Sequence, residues 1–350
     1  ETGTNDAAVT YASGTGTNTL TFNYTVAEGH ASTDLDYVAT SSLALNSGTM
    51  KDGVGNDATL TLASPGATNS LGANKALVID GIVPTVTNVT ATNNDGYFKA
   101  DDVIGITVTF SEVINVVTTN GTPRLTLETG TNDAVVNYTS GTGTNALTFN
   151  YTVASGHTSS DLDYVATSSL ALNSGTIKDG AGNNATLTLA SPSATNSLSA
   201  NKALVVDTTT PVISSVNSTA SNAYYNIGDV IPITVIFSEV VNVVTTAGTP
   251  TLTLETGNND VVVNYSSGTG TNTLTFNYTI IEGHSNNDLS YSSTNALSLN
   301  SGTIKDLALN IATLTLPANS SGNSLSDNRN LIVDGIVPTV SSVSSSVSDG

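Results

Sequence analysis

In the segment Val103-Ile-Gly-Ile-Thr-Val-Thr-Phe110, large apolar side chains recur at every second position. A period of two places these side chains on one face of a half-buried β-strand, whereas a helical face repeats every 3.6 residues. Leu147-Thr-Phe-Asn-Tyr-Thr-Val153 alternates in the same way. Both stretches are therefore predicted to be strands. The inward residues are Ile104, Ile106, Val108 and Phe110 in the first, and Leu147, Phe149, Tyr151 and Val153 in the second.

Strand patterns continue on both sides of this pair. Residues 134–140 (AVVNYTS) and 146–153 (ALTFNYTV) flank the loop Gly141-Thr-Gly-Thr-Asn145, whose composition predicts a hairpin turn. Further short strands are predicted at 162–166, 170–173, 185–189 and 203–207. Short strands with frequent turn signals and no helical periodicity favour an all-β fold of two aligned, packed sheets. Long parallel sheets are not expected, because the sequence offers no crossover helices.

The chain repeats itself with a domain-sized period. The string Glu1-Thr-Gly-Thr-Asn-Asp returns at Glu128 and, with one change, at Glu255, so successive copies lie 127 residues apart. The same offset relates Asp52 to Asp179 and Asp306. This period indicates tandem copies of one unit, and it is too long for the coils of a parallel β-helix.

The segment Val78-Ile-Asp-Gly-Ile-Val-Pro-Thr-Val86 marks the predicted boundary between copies. Proline interrupts strand pairing and stiffens a linker, and Pro84 has equivalents at Pro211 and Pro338. The predicted units are residues 1–80, the C-terminal part of a repeat; residues 81–207 and 208–334, two complete repeats; and residues 335–350, the start of another.

The first predicted unit has no counterpart of residues 81–127. A sandwich without those opening strands would expose apolar faces and unpaired strand edges. We therefore expect these residues to belong to a longer array. Head-to-tail donation of strands between chains is the alternative.

Charge excludes several classes of partner. Aspartate and glutamate number 28 against 8 lysines and arginines, which gives a formal net charge of −20. Nucleic acids and anionic membranes attract basic proteins, so neither is an expected partner. The chain contains no cysteine, which rules out disulfides and thiolate metal sites. No apolar run approaches the ~20 residues of a membrane-spanning helix, so membrane insertion is not expected.

Acidic residues on both sides of each proline linker predict calcium sites at the junctions. Calcium binds six to eight oxygens, several of them carboxylate, and the ligands need not be contiguous in sequence. Ordinary turn and strand-end chemistry, which also favours aspartate, is the alternative. The candidate ligands are Asp80, Asp101, Asp102, Glu112, Asp207, Asp229, Glu239 and Asp334.

Other polar residues are interpreted as structural. Asp34 and Asp36 would share one strand face and form either a second ion site or, more in keeping with Ser290 at the equivalent position, a solvated surface. His30, His157 and His284 are expected to be solvated loop residues. Tyr37, with Tyr164 and Tyr291, fits the tyrosine corner of β-sandwiches. A Lys–Asn crosslink at Lys75 or Lys202 is disfavoured, since Arg329 replaces lysine in the third copy.

Two motifs carry a resemblance to a known family. The strings VTFSEVINV (108–116) and VIFSEVVNV (235–243), followed by TIKDGAGNNA (176–185), resemble the tandem bacterial immunoglobulin-like repeats of large surface proteins. The resemblance implies an extracellular sandwich, repeated many times in adhesins and in cell-wall or biofilm proteins, often with calcium at the junctions. The third copy departs from the motif at Leu307-Ala-Leu-Asn310, which predicts that this loop has no essential role in every repeat.

These observations predict a structural role. Near-identical copies are typical of modules that supply length, so we expect a stalk or fibre in which neighbouring repeats contact one another. Other copies of the chain in a filament are a further expected partner. The alternative is a module whose loops bind glycans or cell surfaces, although few aromatic residues are present for stacking on sugars. No catalytic motif is found, and enzymatic activity is not expected.

Overall fold

The computed structural model describes residues 1–347 and is almost entirely β-structure. We name the sequence copies the first repeat (residues 1–80), the second repeat (81–207) and the third repeat (208–334). The first repeat contains little regular structure. Its elements are β1 (Tyr11–Ser13), β2 (Thr21–Phe22), β3 (Ala31–Ser32), α1 (Leu71–Asn74) and β4 (Ile79–Asp80).

The second repeat forms a curled seven-stranded sheet and a small three-stranded sheet. The large sheet has the order β12-β8-β9-β10-β7-β13, with β5 also paired to β7, and the small sheet has the order β11-β14-β6. The elements are β5 (Val86–Ala91), β6 (Gly96–Phe98), β7 (Val103–Val117), β8 (Arg124–Leu127), β9 (Ala134–Ser140), β10 (Thr144–Thr152), β11 (Thr158–Ser159), β12 (Leu170–Ala171), β13 (Thr176–Lys178), α2 (Leu198–Asn201) and β14 (Leu204–Asp207).

The third repeat reproduces this arrangement 127 residues later. Its large sheet has the order β15-β17-β20-β19-β18-β22, with β23 on β18 and β24 on β17, and its small sheet has the order β16-β25-β21. The elements are β15 (Ile213–Ser218), β16 (Ala223–Asn226), β17 (Val230–Val244), β18 (Thr251–Glu255), β19 (Val261–Ser267), β20 (Thr271–Thr279), β21 (Ser285–Asn286), β22 (Ser290–Tyr291), β23 (Leu297–Ser298), β24 (Thr303–Lys305), α3 (Leu325–Asn328) and β25 (Leu331–Asp334).

The strand predicted from the alternating stretch is the centre of its sheet. β7 pairs antiparallel with β10, β5 and β13. Its inward side chains, from Ile104 to Phe110, are fully buried, while Thr107 and Thr109 between them are only half-buried. The alternation therefore identified both the strand and its buried face.

The large sheet curls because β9 changes partners along its length. Residues from Ala134 to Asn137 pair with β8, whereas Tyr138 and Ser140 pair with β10. One strand thus contributes to two differently oriented parts of the sheet, which close around a common apolar interior.

Each complete repeat encloses its own hydrophobic cluster. One cluster runs from Val89 to Val206 and the other from Val216 to Val333. The first repeat has no counterpart of β5–β8 to cover its apolar face. As a result Leu77 is 42% exposed, whereas the equivalent Leu204 is fully buried.

The segment after Asp334 forms no strand within residues 335–347. Its apolar side chains are open to solvent, and Val343 is 91% exposed where the equivalent Val216 is buried. The last three residues of the predicted unit 335–350 lie outside the described residues.

Helix is confined to one turn before the last strand of each repeat. Ser70, Ser197 and Ser324 cap these turns by accepting a hydrogen bond from a backbone N–H of the first turn. Among residues 1–347, no helix combines the length and the apolar character needed to cross a bilayer.

The predicted tyrosine corner is replaced by a longer-range bond. Tyr164 is buried, and its hydroxyl donates to the carbonyl of Ala190, 26 residues downstream, at 2.6 Å. Tyr37 makes the same bond to Ala63, and Tyr291 bonds to Pro317. A tyrosine corner would instead reach a backbone group a few residues upstream. The role is structural, as expected, but the hydroxyl anchors a different loop.

Candidate cation sites at the repeat junctions

Three carboxylates meet where the first repeat joins the second. Asp80 ends β4 of the first repeat, Glu112 lies in β7, and Asp179 follows β13. One carboxylate oxygen from each lies within 4.8 Å of the others. The site, which we call junction site 1, therefore draws ligands from both sides of the linker.

The same arrangement recurs at the next boundary. Asp207 ends β14 of the second repeat, and Glu239 and Asp306 come from the third. Their carboxylate oxygens also lie within 4.8 Å of one another, and we call this group junction site 2. Two equivalent sites at one sequence spacing show that the geometry belongs to the repeat rather than to a single loop.

In each junction site the glutamate is the carboxyl group whose ionised form is disfavoured. Burial, with repulsion from Asp207 and Asp306, raises the pKa of Glu239 to about 7. Burial, with repulsion from Asp80 and Asp179, also raises the pKa of Glu112. The Oε1 atom of Glu112 is buried and has no hydrogen-bond partner within the described residues. A buried carboxylate oxygen without a partner is costly, and a bound cation would satisfy it.

No basic side chain neutralises either site in the part of the chain that the structure describes. The two lysine ion pairs join Lys51 to Asp57 and Lys99 to Asp102, away from both groups. Within the described residues, the hydrogen-bond donors to the junction carboxylates are backbone N–H groups and the side-chain amides of Asn183 and Asn310.

The loop from Asp179 to Asn183 ties the second repeat to the linker without any ion. Asp179 accepts hydrogen bonds from the backbone N–H of Gly182 and Asn183 and from the Asn183 amide, at 2.7–2.8 Å. The same amide donates to the carbonyls of Asp80 at 3.0 Å and Ile82 at 3.3 Å. The Asn183 side chain therefore forms hydrogen bonds that link the second repeat directly to the end of the first repeat and the linker.

The divergent loop of the third repeat keeps these bonds. Asp306 accepts from the backbone N–H and side-chain amide of Asn310 at 2.8 Å, and that amide donates to the Asp207 carbonyl at 2.9 Å. Leu309 adopts the left-handed conformation of Gly182, with φ of 71° against 97°. The change from glycine to leucine leaves these contacts in place, because Asp306 and Asn310, rather than the glycines, make them.

The linker itself is bonded to both repeats. The N–H of Thr85 donates to the Ser111 hydroxyl at 3.0 Å, and the N–H of Thr186 donates to the Pro84 carbonyl at 2.8 Å. On the other side, Gly81 donates its N–H to the His30 carbonyl at 2.8 Å. Most backbone N–H and carbonyl groups between residues 80 and 85 are therefore hydrogen-bonded.

Three predicted ligands lie elsewhere. Asp102 accepts from the Lys99 ammonium at 3.0 Å, and Asp101 donates its N–H to the Val153 carbonyl. Both precede β7 and lie about ten residues, or ~33 Å of extended strand, from Glu112. Asp229 holds the equivalent turn by accepting from the N–H of Asn226. These residues stabilise turns and do not join the junction sites.

Asp334 has the local conformation of its equivalents. Its carboxylate accepts from the N–H of Ile336 at 3.1 Å, as Asp80 does from Ile82 and Asp207 from Thr209. Within the described residues, no further acidic side chains approach it to complete a third group.

The aspartate pair interpreted as solvated surface includes a buried member. Asp163, equivalent to Asp36, is 6% exposed and accepts hydrogen bonds from Ser193 N–H at 3.0 Å and Ser199 Oγ at 2.6 Å. In the third repeat Ser290 instead donates to Asn319 at 2.8 Å. The solvated interpretation is therefore wrong for Asp36 and Asp163, which are buried, and correct for Asp34 and Asp161, which are exposed.

The histidines are also less solvated than expected. His284 is 7% exposed, and its Nδ1 lies 2.8 Å from the Tyr278 hydroxyl. His157 makes the same contact with Tyr151. The loops that follow β10 and β20 place each ring against a tyrosine of the preceding strand, so these rings pack against tyrosine rather than facing water.

A cleft opens between β9 and β10 where the two strands diverge. It measures about 730 Å³ in the second repeat and about 390 Å³ at the equivalent place in the third. Tyr138 lines the first cleft, but its half-buried ring packs edge-on against Phe149, with centroids 6.2 Å apart.

Comparison with known proteins returned no relatives. No protein-family model matches the chain, and no curated protein matches it in sequence.

Proposed function

We propose that this chain is a structural repeat region of a bacterial extracellular surface protein, a stalk or fibre of tandem immunoglobulin-like β-sandwich domains. The observation that carries the proposal is the recurrence of one interlocked junction, with the same carboxylates and the same asparagine bond, at both boundaries between repeats. A conserved joint between like modules serves a protein that must hold its domains in a fixed series. Such a region supplies length and stiffness for adhesion or for a filament.

Calcium is the cation that the junction sites suit best. Their donors are hard carboxylate oxygens, and a calcium ion 2.3–2.6 Å from each ligand spans oxygens separated by up to about 5 Å. The buried Glu112 Oε1 without a partner supports occupancy by a cation. Asp80, Glu112 and Asp179 would hold one ion, and Asp207, Glu239 and Asp306 the other, with water completing each shell.

The cation would act across the linker. It cancels the mutual repulsion of three carboxylates and joins Asp80 of one repeat to Glu112 and Asp179 of the next. The Asn183 amide bonds already hold the linker backbone close to the same place. Together the two devices would turn a short linker into a stiff joint.

Calorimetric titration of the full chain with calcium tests this assignment. We expect two sites per chain, one of them lost in Glu112→Gln and both lost in the double variant with Glu239→Gln. Glutamine keeps the shape of the side chain but removes its charge. Asp101→Asn with Asp229→Asn is the matched control, because those turn residues lie outside the junction sites, and it should retain both. Equal binding by the glutamate double variant and the parent chain would refute the sites.

A further inference from the structure

The cleft between β9 and β10 is bordered by strand edges that lack partners. Residues 134–137 of β9 pair with β8 on one side, and β9 meets β10 only at Tyr138 and Ser140. Residues 150–152 of β10 pair with β7 and with no other strand in the described part of the chain. One edge of each strand therefore faces the cleft unpaired. Such an edge is a template for a further strand.

The hydrogen bonds of β9 determine which of its backbone groups face the cleft. The N–H of Tyr138 donates to the Pro123 carbonyl at 2.7 Å, on the side of β8. Because backbone groups alternate in direction along a strand, Ala134 and Val136 also bond toward β8. The N–H and carbonyl groups of residues 135 and 137 consequently point into the cleft.

β10 presents its own alternate groups to the same cleft. The N–H of Val153 donates to the Asp102 carbonyl at 2.9 Å, so the odd-numbered residues of β10 face β7. The even-numbered residues face the cleft, and there the N–H of Asn150 donates to the Thr139 hydroxyl at 3.3 Å. That bond closes the narrow end of the cleft and leaves the end near residues 134 and 152 open.

The third repeat has the same arrangement. Tyr265 donates its N–H to the Pro250 carbonyl at 2.8 Å, so Val262 takes the place of Val135 at the cleft. These two valines are 61% and 55% exposed, although each lies within a strand of a large sheet. An apolar side chain next to free backbone groups is the surface that an added strand would cover.

The open end of each cleft is acidic. Asp133 lies directly before β9 and lines the first cleft, and Asp260 has the equivalent position before β19. Neither takes part in an ion pair within the described residues. Among those residues, no lysine or arginine lines either cleft, and the chain as a whole carries a formal charge of −20. Charge therefore favours a basic occupant over an acidic one.

We propose that the cleft of each complete repeat binds an extended, basic peptide segment of another protein as an added strand along β9 or β19. Four residues of such a segment span ~13 Å, the length of residues 134–137. Main-chain hydrogen bonds to residues 135 and 137 supply affinity, and a β-branched side chain packs beside Val135. A lysine or arginine next to Asp133 gives the preference for basic sequences.

Selection from a displayed library of random octapeptides, on the full chain with calcium chelated, tests the proposal. We expect the enriched peptides to be rich in valine, isoleucine and threonine at alternate positions. They should carry lysine or arginine toward the C-terminal end. The antiparallel pairing with β9, which is slightly the more stable, brings that end to Asp133.

The backbone contribution is measured with the most enriched peptide, synthesised with a fluorescent label and followed by anisotropy. Val135→Pro with Val262→Pro removes the cleft-facing N–H from both repeats and spares the bonds to β8 and β18. The dissociation constant should rise by roughly fivefold or more, because each cleft loses a backbone hydrogen bond. Val135→Thr with Val262→Thr is the matched control, because it keeps the N–H and the β-branched shape, and it should bind like the parent.

The charge contribution has its own pair of variants. Asp133→Asn with Asp260→Asn should weaken binding by roughly two- to fivefold at low salt, and the difference should disappear at ~1 M salt. Asp101→Asn with Asp229→Asn is the control, because those turns lie at the far side of β7 and β17 from the clefts, and it should bind like the parent.

If the proline variant does not fold, N-methylation of the peptide replaces it. Methylation of one alternate set of residues should abolish binding to the parent chain, and methylation of the other set should not, because only one edge of the peptide pairs with β9.

Three results would overturn the proposal: no enrichment over the unselected library, enrichment of acidic peptides, or equal binding by the parent and the proline variant. Protection of residues 134–138 from amide exchange by a neutral oligosaccharide such as cellohexaose, and not by the selected peptide, would assign the cleft to sugars and also overturn it. The inference does not rest on the proposed stalk. Because calcium is chelated throughout, its failure would leave the two cation sites standing.

Discussion

Single carboxyl groups govern how the junctions respond to solution conditions. Glu239 lies between Asp207 and Asp306, and burial together with those two charges raises its pKa to about 7. Its ionised form is thus less favourable in the folded protein than in the unfolded chain. Protonation of Glu239 and binding of a cation beside it would therefore both reduce the cost of burying its negative charge next to Asp207 and Asp306.

The raised pKa predicts a pH dependence of stability without calcium. A carboxyl group with a raised pKa in the folded state contributes stability that is fully present below its ordinary pKa and is lost as pH rises to about 7. The melting temperature in chelator should therefore fall between about pH 5 and about pH 8.

Glu239→Gln should reduce this slope, whereas Glu282→Gln, on an exposed loop, should not. Saturating calcium should also flatten the dependence, because the cation favours the ionised form. Identical slopes for the parent and Glu239→Gln would contradict the assignment of the pH dependence to this residue.

The asparagine bond across the junction gives a second prediction. Asn183→Ala removes the amide that donates to the Asp80 and Ile82 carbonyls. Loss of about 1 kcal/mol should speed amide hydrogen exchange in residues 80–86 by roughly fivefold in chelator. Asn184→Ala is the matched control, because Asn184 is exposed and adjacent. Equal exchange rates in both variants would show that the Asn183 amide does not hold the linker.

The sequence contained part of this residue-level information. Asp80 and Glu112 could be selected because acidic residues flank each proline linker. Asp179 was missed as a ligand, although it recurs at the 127-residue offset, because it lies almost 100 residues from Asp80. Aspartate followed four positions later by asparagine, in all three copies, was the available signal. Asp101 was selected wrongly because closeness to the linker in sequence does not give position along a long strand.

The loop after β24 keeps its conformation although its sequence differs from that of the equivalent loop in the second repeat. Leu309 occupies a left-handed conformation that glycine fills in the second repeat, and its side chain is 59% exposed. An L-residue with a Cβ is disfavoured in that conformation by about 1–2 kcal/mol. The loop persists because Asp306 and Asn310 fix its ends.

Leu309→Gly should therefore stabilise the third repeat. We expect a gain of up to about 1 kcal/mol in the free energy of unfolding, since relief of the backbone strain exceeds the added flexibility of glycine in the unfolded chain. Leu307→Gly is the control, because residue 307 is not left-handed and should lose stability. Chemical denaturation measures both, and a loss of stability in Leu309→Gly would contradict the strain at this position.

The alternation of apolar residues predicted the long strands but not all of the strand pairs. Alternation identified β7 and β10 and their buried faces, since burial of one face imposes a period of two. The parallel pairing of β6 with β14 could not be foreseen, because strands of three or four residues carry little periodic signal. Their pairing is set by how the rest of the repeat brings the ends of the chain together.

At the level of the whole molecule, the two junctions between repeats are expected to control how stiffly the repeats are held in series. Each boundary contains a proline linker, an asparagine bond and a group of three carboxylates. Without a cation the carboxylates repel one another and oppose the asparagine bond. With a cation both devices act in the same direction, so the array should be stiffer in calcium than in chelator.

Small-angle X-ray scattering of the full chain in excess calcium and then in chelator tests this claim most directly. We expect a longer maximum dimension and a narrower distribution of shapes in calcium, with no difference between calcium and chelator for the double variant Glu112→Gln, Glu239→Gln. The turn variant Asp101→Asn, Asp229→Asn should respond like the parent. Identical scattering of the parent chain in calcium and in chelator would contradict a cation-stiffened junction.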